Sequence, residues 1–337
     1  MALGQALSIR LPAPPGRAIV AAMELRPFGN TSLRVSEFGL GCARIGGVFQ
    51  SNARGFLDLL SFAFDSGVTF FDTADMYSQG ESESLLGKSF ASKRDRVVIA
   101  SKVGYCLPAQ RRVAGRLKPL LRPLVRFLKL RRDQLPSASR GALTQDFSAK
   151  YLRGAVEGSL RRLRTDYIDI LQLHSPPLDV IERGEWQSAL EELKRTGKIR
   201  YYGVAVDSIE AGLAALALPG ISSLQFTLNL LEPAAAQELF PKAAAQRVGG
   251  IARECLANGL LVKPADQIDL KAYCSSPEEE AQRAQQLADL RTAAAADGDS
   301  VLRRALSYPR TVAGVNVTLL GARNIEQLRP LLDVARV

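Results

Sequence analysis

Four side chains in this chain have the chemistry of a proton-transfer site: Asp72 in FFDTADMY, Tyr77 five residues on, Lys102 closing VVIASK and His174 closing IDILQLH. Each ends or follows an apolar run. An ionisable group in such a place is costly to bury unless it is partnered, so pairing Lys102 with Asp72 would resolve the cost of both. A tyrosine beside a buried ammonium has its ionised form favoured, which predicts a lowered pKa for Tyr77 and a proton donor usable near neutral pH. Taken singly, Asp72 could cap a loop, Tyr77 could pack in one, Lys102 could snorkel to water and His174 could sit hydrogen-bonded in a core. Four such coincidences in one order point instead to one site. Asp75 and Glu83 flank the same loop and are assigned capping or solvent roles.

His174 is the only histidine, which excludes metal sites built on two or three imidazoles, and no metal is expected. The cysteines Cys42, Cys106, Cys255 and Cys274 stand far apart without a C-x-x-C pair, so a reducing, cytoplasmic setting fits better than a disulfide scaffold or a redox dithiol. Gly39-Leu40-Gly41-Cys42-Ala43-Arg44 has the outline of a dinucleotide fingerprint, but Arg44 stands at the third glycine position and no acid follows at the required distance. Those glycines are read as closing a strand.

The elements that must position the four residues are apolar runs alternating with amphipathic segments. The runs are Val35–Ala43, Thr69–Ala74, Arg96–Val103, Ile168–His174, Ile199–Val206, Ser223–Asn229, Gly250–Leu256 and Val315–Leu320. They are nearly continuous in Val, Ile, Leu and Phe, as in parallel strands covered on both faces. Between them lie helical patterns over Ala53–Ser66, Glu81–Ala91, Ala149–Leu163, Glu185–Thr196, Ser208–Leu216, Ala234–Gln246 and Pro277–Ala295. Eight strands alternating with helices predict a (β/α)8 TIM barrel, with a doubly wound open sheet as the competitor. In a barrel the strands' C-terminal ends meet at one mouth, so Asp72, Tyr77, Lys102 and His174 would converge there. Glu24–Pro27 and Arg34–Phe38 around Gly29-Asn30-Thr31 read as an N-terminal hairpin closing the floor.

At 337 residues, with 47% hydrophobic and 23% charged side chains, the chain has the composition of a globular protein, and no apolar run is long enough for a membrane span. The net charge of +10 would suggest a nucleic-acid partner if it were spread out. It is not. Residues 111–132 carry nine basic side chains and no acid, which leaves the rest of the chain near neutral and removes the nucleic-acid reading. That run falls in a long substrate-side connection, 104–148, after the third barrel strand. Residues 1–22, with Pro12, Pro14 and Pro15, read as a disordered extension ahead of a single domain at 23–337, with Met23 as a plausible start.

The segments DTADMYSQGESESLLGKSF, VVIASKVG and LRRLRTDYIDILQLHSP, in that order, resemble the aldo-keto reductase superfamily, with wording nearest to bacterial-type, sugar-dehydrogenase-like and broad-substrate members. The resemblance spans Met23 to Leu332. It implies a nicotinamide-dependent barrel in which Asp72, Tyr77, Lys102 and His174 are the catalytic residues. It further implies that Gln225, Arg253, Glu254, Leu256, Gly259, Gly321, Ala322, Arg323 and Gln327 bind the cofactor. Several positions depart from the family's usual residues. Ala205 and Val206 stand where serine and asparagine are common, Arg253 where an aromatic ring stacks on the nicotinamide, and Gln327 where an arginine is frequent. Arg323 is the charge available for a 2′-phosphate, so NADPH is expected, with NADH as the alternative.

The expected activity is NAD(P)H-dependent interconversion of a carbonyl and an alcohol by hydride transfer, with Tyr77 as general acid and base and a small carbonyl or sugar-like substrate. Alternatives are an aldose dehydrogenase within the same class, or a nicotinamide-binding regulatory subunit with little turnover. In the basic insert, Leu117, Leu120, Leu121, Leu124 and Leu128 alternate with arginines around Pro119 and Pro123, predicting a kinked amphipathic element. It reads as a lid on the barrel mouth, with steering of anionic substrates or contact with a membrane surface as the other readings.

Overall fold

The computed structural model describes residues 23–45, 53–106 and 144–335. The N-terminal extension at 1–22 and the basic run at 111–132 lie outside the described residues.

The described residues begin with the expected hairpin. Strand β1 (Leu25–Pro27) pairs antiparallel with β2 (Arg34–Ser36), placing Arg26 opposite Val35. Its turn is held by Phe28 N donating to Leu33 O at 3.1 Å and Thr31 Oγ1 donating to Phe28 O at 2.6 Å. Gly29 adopts φ +54°, and a Cβ there would lie 2.5 Å from Gly249 N, so both the conformation and the close approach require glycine.

Then come β3 (Phe38–Gly41), β4 (Phe70–Asp72) and β5 (Val98–Val103). Two short strands, β6 (Tyr105–Cys106) and β7 (Thr144–Gln145), pair only with each other. They are followed by β8 (Ile168–His174), β9 (Ile199–Ala205), β10 (Ser223–Thr227), β11 (Gly249–Arg253) and β12 (Val315–Gly321). Eight of these strands close into a barrel in the order β10-β11-β12-β3-β4-β5-β8-β9, with parallel pairing throughout. Closure excludes the open sheet.

The helices are α1 (Ala53–Asp65), α2 (Glu81–Phe90), α3 (Ala149–Leu163), α4 (Leu178–Arg183), α5 (Gln187–Arg195), α6 (Ile209–Leu216), α7 (Ala235–Glu238), α8 (Phe240–Ala245), α9 (Pro277–Ala296), α10 (Val301–Thr311) and α11 (Ile325–Ala335). Some details differ from the sequence expectation. The Val35–Ala43 run divides, because Arg34–Ser36 belongs to the hairpin and only Phe38–Gly41 enters the barrel. The Ala234–Gln246 helix is two short helices, since Pro241 lacks the N–H that a continuous helix needs. Helices unread in the sequence include α4, after β8, and α10, between the Pro277 helix and the last strand.

Strand periodicity sorts the side chains into two layers. Phe71, Ile99, Leu171 and Leu173 face outward into the core shared with α1, α2 and α3. Phe70, Ala100 and Ile170 face into the barrel, where they pack with Phe28, Leu33 and Val35 of the hairpin and with Ile251 and Val317. The floor is therefore an apolar plug. Two residues further along each of these strands, the same inward face carries Asp72, Lys102 and Gln172, and two more along β8 it carries His174.

Candidate active site

The polar layer above the plug is locked together. Lys102 Nζ donates to both oxygens of Asp72, at 2.7 and 2.6 Å, and to Thr73 O at 3.1 Å. It also lies 3.5 Å from Tyr77 Oη. Asp72 and Lys102 are buried, so the pair replaces water for both groups. Gln225 Nε2 donates to Asp72 Oδ1 at 2.8 Å. Since β10 lies opposite β4 in the closed order, this bond spans the barrel interior.

Tyr77 comes from a tight turn, not from a strand. Its N–H donates to Ala74 O at 3.1 Å, Ser78 and Gln79 take φ of 50° and 60°, and Ser78 Oγ donates to Ile45 O at 2.9 Å. That coil brings the half-buried phenol over Lys102 and against His174, with ring centroids 5.7 Å apart and planes at 84°. Tyr105 packs on the same imidazole, with centroids 4.9 Å apart and planes at 87°.

Burial pushes the Tyr77 phenol above its ordinary pKa. Lys102 pulls it down as the sequence predicted, but removal from water outweighs that pull, so the expected net lowering is corrected to a net rise. For Lys102 the balance runs the other way. Burial alone would lower its pKa, yet Asp72 and Tyr77 together raise it, keeping the ammonium charged. Burial, with the neighbouring cations Lys102 and Arg253, lowers the His174 pKa to about 3. The imidazole is neutral at physiological pH.

Capping or solvent roles for Asp75 and Glu83 are not what the structure shows. Glu83 is fully buried, accepting from Ser101 Oγ at 2.7 Å and from Arg162 Nε at 2.6 Å. Asp75 Oδ1 is buried without a hydrogen-bond partner among the described residues, and burial plus the nearby Glu83 raises its pKa to about 8, offset in part by Arg162. The first turn of α2 lies against α3, so Glu83 faces inward and finds its partner 79 residues away in sequence.

The residues expected at the cofactor fall in the sector of β10, β11, β12 and β3. Arg253 is held by Val206 O at 3.0 Å, Thr227 Oγ1 at 3.2 Å and Asp207 Oδ1 at 2.5 Å. Its guanidinium is thus anchored on the two residues just after β9. The segment from Glu254 to Gly259 is tightly coiled, with Glu254, Ala257, Asn258 and Gly259 at positive φ and Gly259 N donating to Leu256 O at 2.8 Å. Asn258 Nδ2 donates to Glu254 Oε2 at 2.8 Å, and Arg44 donates to Asn258 Oδ1 at 3.3 Å. Arg44, considered in the sequence only as a break in a glycine pattern, ties the loop after β3 to the loop after β11. Beyond β12, Gly321 has open space where a Cβ would stand, Ala322 is buried, and Arg323 is exposed with no side-chain partner shown among the described residues. Gln327 Oε1 accepts from Arg323 N at 2.9 Å, and Gln327 N donates to Asn324 Oδ1 at 3.0 Å, so both residues shape the start of α11.

The chain matches the family described as "Aldo/keto reductase family" over residues 37–337. It is 30% identical to the uncharacterized oxidoreductase YqkF of Bacillus subtilis (strain 168), covering 93% of this chain and 91% of that protein. It is 29% identical to pyridoxal 4-dehydrogenase of Microbacterium luteolum, covering 91% and 92% respectively. Among solved structures, the holo form of aldo-keto reductase AKR11C1 from Bacillus halodurans superimposes with a TM-score of 0.75 at 27% identity, over 94% of this chain and 91% of that one.

Proposed function

Because this chain belongs to the aldo/keto reductase family, and so acts as an oxidoreductase on carbonyl or alcohol groups, we propose that it is an NADPH-dependent carbonyl reductase using Tyr77 as its general acid. The observation that carries this reading is the placement of Lys102 Nζ between Asp72 and Tyr77 Oη at the barrel mouth. We take residues 23–337 as one domain, with 104–148 as a substrate-side insert. Four free thiols support a cytoplasmic setting.

The residues beyond β11 and β12 fit a dinucleotide. Arg323 offers an exposed cation beside the start of α11, where backbone N–H groups and the helix dipole favour phosphate, and Gly321 leaves room for close approach. Arg253, Glu254, Leu256, Gly259, Ala322 and Gln327 would line the remainder, and Gln225 would stand between the cofactor and Asp72. A bound nicotinamide supplies the hydride for reduction or accepts it for oxidation.

The protein's part is to hold the carbonyl and move one proton. Tyr77 Oη donates its proton to the carbonyl oxygen as negative charge develops there. Lys102 favours the phenolate that this leaves behind, and the cost of the charge it must carry in the interior is met by Asp72 and Thr73 O. Neutral His174 offers a hydrogen bond to the same oxygen without competing for the proton. The apolar plug below offers water no polar partner on the floor side.

The test is NADPH consumption across aldehydes, ketosugars and bulky ketones, with NADP⁺ reduction by aldoses run in reverse. Turnover on at least one carbonyl supports the reading. NADPH binding with no turnover on the whole panel would favour a regulatory subunit, and turnover confined to aldoses with NADP⁺ would favour an aldose dehydrogenase.

A further inference from the structure

His174 Nδ1 is buried and has no hydrogen-bond partner among the described residues. A working imidazole is ordinarily oriented by a bond through the ring nitrogen that faces away from its task. Here the plane of the ring has to be set by packing. Two rings supply that packing, both nearly perpendicular to the imidazole: Tyr77, with centroids at 5.7 Å, and Tyr105, at 4.9 Å. Both distances suit an edge-on aromatic contact. Tyr105 is the nearer of the two, and it takes no part in the hydrogen bonds of the Asp72–Lys102–Tyr77 cluster.

Tyr105 is itself fixed from three sides. It pairs with Gln145 in the two-strand ladder of β6 and β7. Its carbonyl accepts from Tyr151 Oη at 2.8 Å. The residue before it, Gly104, has φ +137° and lies beneath the Phe147 ring, where a Cβ would collide. The same ladder also reaches the histidine backbone, because Gln145 Nε2 donates to His174 O at 3.0 Å and to Ser175 O at 2.8 Å. Ser175 needs such support, having a left-handed φ of 51°.

We propose that the β6–β7 ladder is a histidine-positioning clamp, in which Tyr105 sets the plane of the His174 imidazole and Gln145 sets its backbone, leaving Nε2 for the carbonyl oxygen. This rests on the proposed role of His174, and the test separates the two. Tyr105 and Gln145 are positioning residues, acting on the reaction only through the histidine. The charged groups around the imidazole are Lys102 on β5, Arg253 on β11 and Asp207 after β9, and substitutions in the ladder leave all three in place.

Because His174 is the only histidine, the imidazole resonances of the full chain, prepared without a histidine tag, report on it alone. In the parent they should be narrow and unmoved between pH 5 and 8. Tyr105→Leu should broaden them and bring their titration into that range, with kcat falling about tenfold to a hundredfold and KM nearly unchanged. Tyr105→Phe keeps the ring and should restore both readouts. Gln145→Leu, which leaves every core side chain in place, should broaden the resonances in the same way and covers the case in which Tyr105→Leu does not fold. Freed resonances with unchanged turnover would support the clamp and take the carbonyl-orienting role from His174. Resonances as narrow and as static as the parent's in both Tyr105→Leu and Gln145→Leu would overturn the clamp, whatever turnover does.

Discussion

Two sectors of the barrel mouth are built on opposite terms. Across β4 and β5 the polar side chains satisfy one another, with Lys102 bonding Asp72 twice and Gln225 reaching Asp72 from the far wall, while on β8 the imidazole is held by packing between two tyrosines. Across β12 and the start of α11, Arg323 stands exposed with no side-chain partner shown among the described residues. The first sector is preorganised and would need little rearrangement during reaction. In the second, Arg323, the cation proposed to hold a cofactor phosphate, is open to solvent. The difference predicts that damage to the first costs stability and turnover together, and that damage to the second costs affinity alone.

The sharpest way to break that contrast is Lys102→Met. It leaves a buried carboxylate facing only Gln225, an arrangement that costs about 3–5 kcal/mol of stability. Turnover should also fall by at least about 10²–10⁴-fold. Thermal unfolding and steady-state kinetics read the two losses, and a parent-like Tm would show that the first sector is not preorganised as described.

The next largest effect belongs to the other sector. Arg323→Ala should weaken NADPH binding by about 10- to 150-fold, the worth of one charge-assisted bond, with NADH affinity and Tm little changed. Fluorescence titration with both cofactors decides it. Equal losses for the two would make Arg323 structural.

A graded, pH-dependent effect is expected at the edge of the first sector. Asp75 has a folded-state pKa raised to about 8 against an ordinary 3.8, so folding favours its protonated form. That contribution is fully present below pH 3.8 and is lost as pH rises toward 8. An asparagine side chain cannot ionise, so Asp75→Asn should gain on the parent by about 1 kcal/mol for each pH unit as pH rises above roughly 5. Denaturant unfolding across that range measures it. A constant difference at all pH values would mean that Asp75 ionises normally.

The two sectors also differ in how much of them the sequence reveals. Asp72, Lys102 and His174 each lie at or near a strand's end, and alternation along the strand puts them on the inward face above Phe70, Ala100 and Ile170. Order and periodicity were enough to bring them together. The bonds that tune them were not legible, because they are long-range: Gln225 meets Asp72 across 153 residues, and Glu83 meets Arg162 across 79. The direction of the Tyr77 shift was missed for a related reason, since a sequence shows the neighbouring lysine but not the depth of burial that opposes it. Arg44, in the loop after β3, and Arg253, closing β11, bond to partners in loops that carry no apolar period to read: Asn258 in the left-handed coil after β11 for the one, Val206 and Asp207 after β9 for the other. Hairpin, barrel and strand order all followed from short apolar runs, while helix limits failed where Pro241 interrupts a favourable pattern.

The central claim is that Tyr77 gives the proton and Arg323's sector holds the cofactor. Tyr77→Phe tests it most directly, because the change removes one hydroxyl and leaves the ring that packs on His174. Measured side by side, NADPH affinity should stay within about twofold of the parent while kcat on the best carbonyl falls by about 10²–10⁴-fold. A variant that turns over within about two- or threefold of the parent would contradict the assignment outright.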